Sequence, residues 1–225
     1  ELLRQIVITS SLTSIEDYVF NGCVSLKQIT IPFSVTSIGD YAFKRCISLT
    51  QLLLPSSLKS IQKCTFYRCS SLIEIDIPKS VTSIEDGAFH KCSSLVKITI
   101  PSSVVFIGDY AFNECSSLVQ ISIPYHVTSI GFNTFYKCSS LRKITIPPTV
   151  KILRDNSFNG CSSLKEIIIP DSVISIGMNC FYECSKLEHL IIPRSVTLIG
   201  SGAFKGCTSL IHIQNDSLIS LDEFM

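Results

Sequence analysis

A cysteine returns every 23 residues along this chain, at Cys23, Cys46, Cys69, Cys92, Cys115, Cys138, Cys161, Cys184 and Cys207. A phenylalanine stands three positions before each, from Phe20 to Phe204, and a proline keeps the same interval from Pro32 to Pro193. Periods of about 20 to 50 residues mark stacked arrays, whose units bury an apolar face only against their neighbours. The 225 residues are therefore expected to form one elongated repeat solenoid rather than a globule.

The unit opening at Cys92 shows how one coil is built. Ile98 and Ile100 alternate with Lys97 and Thr99, which places the isoleucines on the inner side of a short strand. Pro101, with no N–H to give to a ladder, ends it. Val104 and Ile107 are β-branched and predict a second short extended segment. Gly108 and Asp109 then predict entry into one helical turn, with Asp109 as its N-cap and Ala111, Phe112 and Cys115 facing inward. The expected fold is mainly β, with two short extended segments and a short helical turn in each 23-residue coil. Stacking turns each inward position into a ladder, from Leu26 to Leu210, Val35 to Val196 and Ile38 to Ile199.

The array reads as a single domain over residues 1–225, of about ten coils. Residues 215–225, with Leu218, Ile219 and Leu221, read as a degenerate terminal half-repeat. Neither end reads as the polar cap that solenoids need, so the expectation is an excerpt of a longer array, or ends that associate with one another. With 46% hydrophobic and 16% charged residues the chain is not a disordered one. A net charge of +1 lacks the basic footprint of a nucleic-acid binder, and no run reaches the ~18 apolar residues of a membrane span. Gly-x-Ser-x-Gly, Gly-rich phosphate loops and His-Glu-x-x-His are all missing, which argues against an enzyme. No cofactor is implied.

Nine thiols in register invite three readings. Metal sites want ligands at short spacing, and a line of cysteines 23 residues apart does not close a tetrahedron. Disulfides between adjacent coils meet the Cα separation, but the ladder is odd in number and its Cβ vectors run parallel. The favoured reading is a free, buried cysteine that packs as a small hydrophobe. Cys180 takes a slot held elsewhere by alanine, whereas Cys64 takes one held by Tyr18, Tyr41 and Tyr110 and is the best placed thiol to react.

A unit of the form Cys-Ser-Ser-Leu-x-x-Ile-x-Ile-Pro-x-Ser-Val-x-x-Ile-Gly-x-x-Ala-Phe-x-x resembles the BspA-type leucine-rich repeat over essentially the whole chain. The resemblance implies a curved, right-handed leucine-rich-repeat solenoid and a non-enzymatic role. It also implies an adhesin-like surface or secreted protein of a bacterium or parasitic protist, recognising host-cell surface or matrix proteins. Reduced thiols are compatible with the cytoplasm, so an intracellular scaffold and a structural spacer stand as alternatives. Departures from the pattern are Phe132 in a slot where aspartate is common, Pro148, Arg154 for glycine and Ser157 for alanine.

Recognition by a solenoid falls to columns that face away from the core. On the first strand two such columns run from Gln5 to His212 and from Val7 to Gln214, and the second carries Leu53, Ile168 and Ile191. Ile168 and Ile191 should sit side by side as an exposed apolar pair. Between Glu114 and Asp155 there is no acidic residue, while Lys137, Arg142, Lys143, Lys151 and Arg154 all fall there. On adjoining coils they predict a basic patch for an anionic protein or glycan. His189 and His212, one period apart, should stack, and could share a metal or repel when protonated.

Overall fold

The computed structural model describes residues 3–8 and 11–217, so the half-repeat expected around Leu218, Ile219 and Leu221 lies outside the described residues. Every coil passes through two strand positions and a corner. On the first side parallel strands such as Lys97–Thr99, Gln120–Ser122 and Lys143–Thr145 pair in register, Ile121 opposite Ile144. On the second side two-residue strands such as Phe106–Ile107, Ser129–Ile130 and Ile152–Leu153 do the same. Both partners of each pair are one period apart, as in Gln120 with Lys143 and Ser129 with Ile152. One coil departs: residues 51–54 carry no strand, and there Leu52, Leu53 and Leu54 replace the β-branched residues that favour extended backbone.

The core is a set of ladders. Leu95, Val104, Phe112 and Cys115 are wholly buried, with Ile98 and Ile107 nearly so, and the same positions are buried in coil after coil. Ile100 is only partly buried, packed against this core. The phenylalanines stack face to face in one column, with centroids 5.5 Å apart from Phe89 to Phe112 and 5.6 Å from Phe112 to Phe135. Parallel-offset stacking at such spacings adds attraction beyond burial alone.

The corner corrects the expected helical turn, since residues 109–114 form consecutive turns and no helix occurs among the described residues. The N–H groups of Tyr110, Phe112 and Glu114 donate to Phe132, Thr134 and Tyr136 in the next coil, at 2.8, 3.0 and 2.7 Å. Those of Ala111, Asn113 and Cys115 donate three residues back, to Gly108, Tyr110 and Phe112. A neighbouring coil offers carbonyls all along the corner, so alternate peptides turn toward it; one isolated helical turn would leave its terminal groups unpaired. Alternation requires left-handed backbone twice per coil, at Tyr110 (φ 59°) and Glu114 (φ 55°), and other coils place Gly87, Gly160 and Gly206 in these columns. Asp109 is likewise no cap of its own helix, because its Oδ1 accepts from Phe132 N in the next coil at 2.8 Å.

These aspartates bear on two departures from the pattern. Where Asp17, Asp86, Asp109 and Asp155 bridge to the next coil, that coil carries Gly39, Gly108, Gly131 and Gly177, and a Cβ at any of them would run into the aspartate. Phe132 removes the aspartate, and in the following coil Arg154 occupies the glycine slot with its guanidinium 4.9 Å from the Phe132 ring. Phe132 and Arg154 thus meet across a coil boundary, whereas Asp40 still bridges to Lys63 N at 3.2 Å with Gln62 in the glycine slot. The replacement of alanine by Ser157 is absorbed in the core by contact of its Oγ with Cys180 Sγ at 3.1 Å.

The cysteines are free, and from Cys46 to Cys184 the ladder is buried. They are more than small hydrophobes: Cys115 Sγ donates to Phe89 O at 3.1 Å, and Cys138 Sγ to Phe112 O at 3.1 Å. Burial pushes the Cys138 thiol up to about 12 from its ordinary 9.0. Because the folded value lies above the unfolded one, the folded chain holds more protons between pH 9.0 and about 12. Stability is then fully present below that window and falls as pH rises through it. Urea titrations at increasing pH should show this alkaline loss, with a shallower slope for Cys138→Ala. At neutral pH a thiol reagent should reach half-buried Cys64 and Cys23 first, and the buried cysteines only after unfolding.

Candidate functional site

With the inward columns committed to packing, the outward side of the first strands is the variable surface. Ile168 and Ile191 lie opposite one another in register, 68% and 43% exposed, although their column is apolar only by choice of residue and not by need of the fold. Lys143, Glu166 and His189 flank them on the neighbouring outward column, and Gln214 follows on the next coil. Arg142, Lys143, Lys165, Glu166 and Ile168 line a shallow cavity of about 320 Å³ at this place. Lys165 and Glu188 pair at 3.7 Å on the same face.

Other expected site residues are separated. Leu53, 73% exposed, lines a different depression of about 390 Å³ beside Glu74 and Asp76, five periods from Ile168. The five cations between Glu114 and Asp155 do not form one patch. Arg142 and Lys143 lie on the first side, Lys151 and Arg154 flank the second-side strand Ile152–Leu153, and Lys137 stands at the corner. Successive residues of a coil encircle the axis, so sequence neighbours point to different sides. His189 and His212 stand opposite one another in register, with ring centroids 6.4 Å apart, but their planes are tilted by 52° and do not stack. No group of three His, Cys, Asp or Glu is placed to hold a metal among the described residues.

Sequence reasoning missed two features. Ile73 and Val96 stand exposed directly after a buried leucine, and Ile211 after the partly buried Leu210, a column readable from its position once the leucine ladder is aligned. At the corner, Arg45, Arg68, Lys91 and Lys137 share one column and line a groove of about 640 Å³. Nearby, Tyr18 stacks on Tyr41 at 4.8 Å, and Lys44 Nζ lies over the rings of Tyr41 and Tyr67 at 5.0 and 5.5 Å. Half-buried Cys64 opens into a small depression with Lys63, Asp86, His90 and Tyr110. Burial pushes its thiol up, against a smaller pull from the Tyr41 hydroxyl and the Lys63 and Lys44 cations, which disfavours the nucleophilic thiolate.

Parallel in-register coils with leucine, isoleucine and phenylalanine ladders define a leucine-rich-repeat solenoid. The family model described as BspA type leucine rich repeat region matches residues 2–119 and 105–223, and the chain belongs to that family. Its repeats serve as protein-interaction or surface modules and are generally non-enzymatic. Among solved structures the chain is similar to a leucine-rich repeat protein from Bacteroides ovatus, 30% identical with a TM-score of 0.84, covering 96% of this chain and 64% of that one. It therefore spans less than two thirds of that protein's length. The T. pallidum leucine rich repeat protein is 28% identical with a TM-score of 0.56, over 93% of this chain and 79% of that chain. Pneumococcal vaccine antigen PcpA, 23% identical with a TM-score of 0.60 over 98% of this chain and 71% of its own, shares the fold. No curated protein matches the sequence. No helix among the described residues is long and apolar enough to cross a membrane.

Proposed function

We propose that this chain is an adhesin-like recognition module, displayed on a cell surface or secreted, that binds a host-cell or matrix protein through its first-side outward columns. The observation that carries the reading is the exposed Ile168–Ile191 pair. Neither side chain supports the fold, both lie in register, and a mixed polar rim of Lys143, Glu166 and His189 surrounds them. An apolar centre within a polar rim is the make-up of a protein interface. Membership of a family of interaction and surface repeats supports the same reading.

The test is binding of the labelled chain to host cells and to a panel of matrix proteins. Saturable binding is expected, weakened about tenfold or more by Ile168→Asp/Ile191→Asp, with thermal stability unchanged because both side chains are exposed. Retained binding by a folded double variant removes this face from the account. The free state of all eleven cysteines favours a second reading, an intracellular protein-interaction scaffold. Localisation of the full-length protein separates the two.

A further inference from the structure

The corner groove lies away from the first-side face and has its own chemistry. Arg45, Arg68, Lys91 and Lys137 line it, beside a row of hydroxyls from Ser70, Ser93, Ser116 and Ser139. Glu114 is the one carboxylate among the described lining residues, and Lys91 neutralises it at 3.3 Å. Arg45, Arg68 and Lys137 have no such partner in the groove, so its net character is cationic.

These cations stand where a side chain is costly to the backbone. Arg45 (φ 61°), Arg68 (φ 59°), Lys91 (φ 62°) and Lys137 (φ 53°) are all left-handed, in a column that holds Gly22, Gly160 and Gly206 elsewhere. Glycine meets this geometry without steric penalty, whereas a residue with a Cβ is strained there. Glu114 (φ 55°) and Glu183 (φ 56°) share this column, so the backbone does not select a cation; what marks the groove is that four of its lining residues are cations and one is a carboxylate.

The serine row narrows the ligand. Ser93, Ser116 and Ser139 donate their hydroxyl protons to Ser70 O, Ser93 O and Ser116 O at 3.5, 3.3 and 3.4 Å. Their oxygens keep lone pairs that accept from a ligand hydroxyl. The groove thus offers cations for anionic groups and acceptors for hydroxyl donors, repeated coil by coil. The cations and serines recur once per coil, so a linear polymer lying along the groove meets them in succession. A DNA backbone satisfies the cations but brings no hydroxyl donors, and an acidic peptide brings donors from its backbone N–H groups in place of a row of hydroxyls.

We infer that this corner groove is a binding site for a sulfated, linear polysaccharide, distinct from the protein-binding face. The probe is heparin, with desulfated heparin, duplex DNA and polyglutamate for comparison. The intact chain is expected to bind heparin saturably, more weakly as salt rises. The triple variant Arg45→Gly/Arg68→Gly/Lys137→Gly should lose about tenfold or more in affinity while keeping its melting temperature, since glycine suits all three positions. Glu114→Gln should bind more tightly, and Lys79→Glu, an exposed charge outside the groove, should bind as the parent does. Heparin binding unchanged in the folded triple variant overturns the site, as does equal or tighter binding of DNA or polyglutamate. Host-protein binding that survives in the triple variant keeps this inference separate from the first-side reading.

Discussion

Phe112→Ala is expected to destabilise the middle of the array by roughly 3–5 kcal/mol, more than any single surface change. Phe112 is wholly buried between Phe89 and Phe135, with both ring faces covered by those neighbours. The coils above and below are held by backbone bonds such as Phe89 N to Ala111 O and Phe112 N to Thr134 O, so they cannot collapse into the vacated space. In a solenoid each coil is stabilised by its two neighbours, and a weak coil divides the array. The loss should therefore be local: faster hydrogen exchange in the coils from Phe89 to Phe135, with the distant coils still protected. Phe20→Ala, at a partly buried position with one stacked neighbour, should cost less. Equal effects at the two sites would mean that stacking does not carry the core.

Gly131→Arg tests the coupling between coils and should cost about 3 kcal/mol or more. The new side chain runs into Asp109, whose Oδ1 then loses Phe132 N, a backbone donor with no other partner provided by the coil below. At Phe132 and Arg154 the chain carries one pairing without the aspartate, the guanidinium lying 4.9 Å from the ring. In an Asp109→Phe background, Gly131→Arg should cost at least about 1 kcal/mol less than on its own, as in any pair of contacting residues. Urea unfolding of the two single variants and the double variant gives this difference. Strict additivity would mean that the Phe132–Arg154 arrangement is drift without compensation.

Both strand positions were legible in the sequence because alternation and periodicity agree there. Ile98 and Ile107 could each be assigned inward from local pattern, and 23-residue repetition then converted single assignments into ladders. The corner was not legible from one unit. Residues such as Tyr110 and Glu114 do not announce left-handed backbone, and the short Gly108-Asp109 signal fits a helix start equally well. The signal lay in the columns, where Gly87 aligns with Tyr110 and Gly160 with Glu114. Ile168 and Ile191 were found because they share a strand column. Arg45, Arg68 and Lys91 were missed because one cation per coil makes no charge run, whereas the evident run from Lys137 to Arg154 winds around the axis and disperses.

Hydrogen exchange of the chain with and without a saturating host-cell or matrix partner tests the central claim most directly, that recognition resides in the outward columns of the first side. The account predicts added protection over residues 166–168 and 189–192, the strands that carry Ile168 and Ile191, with the second-side strands unaffected. Protection confined to the second side, or spread evenly over all coils, would contradict it.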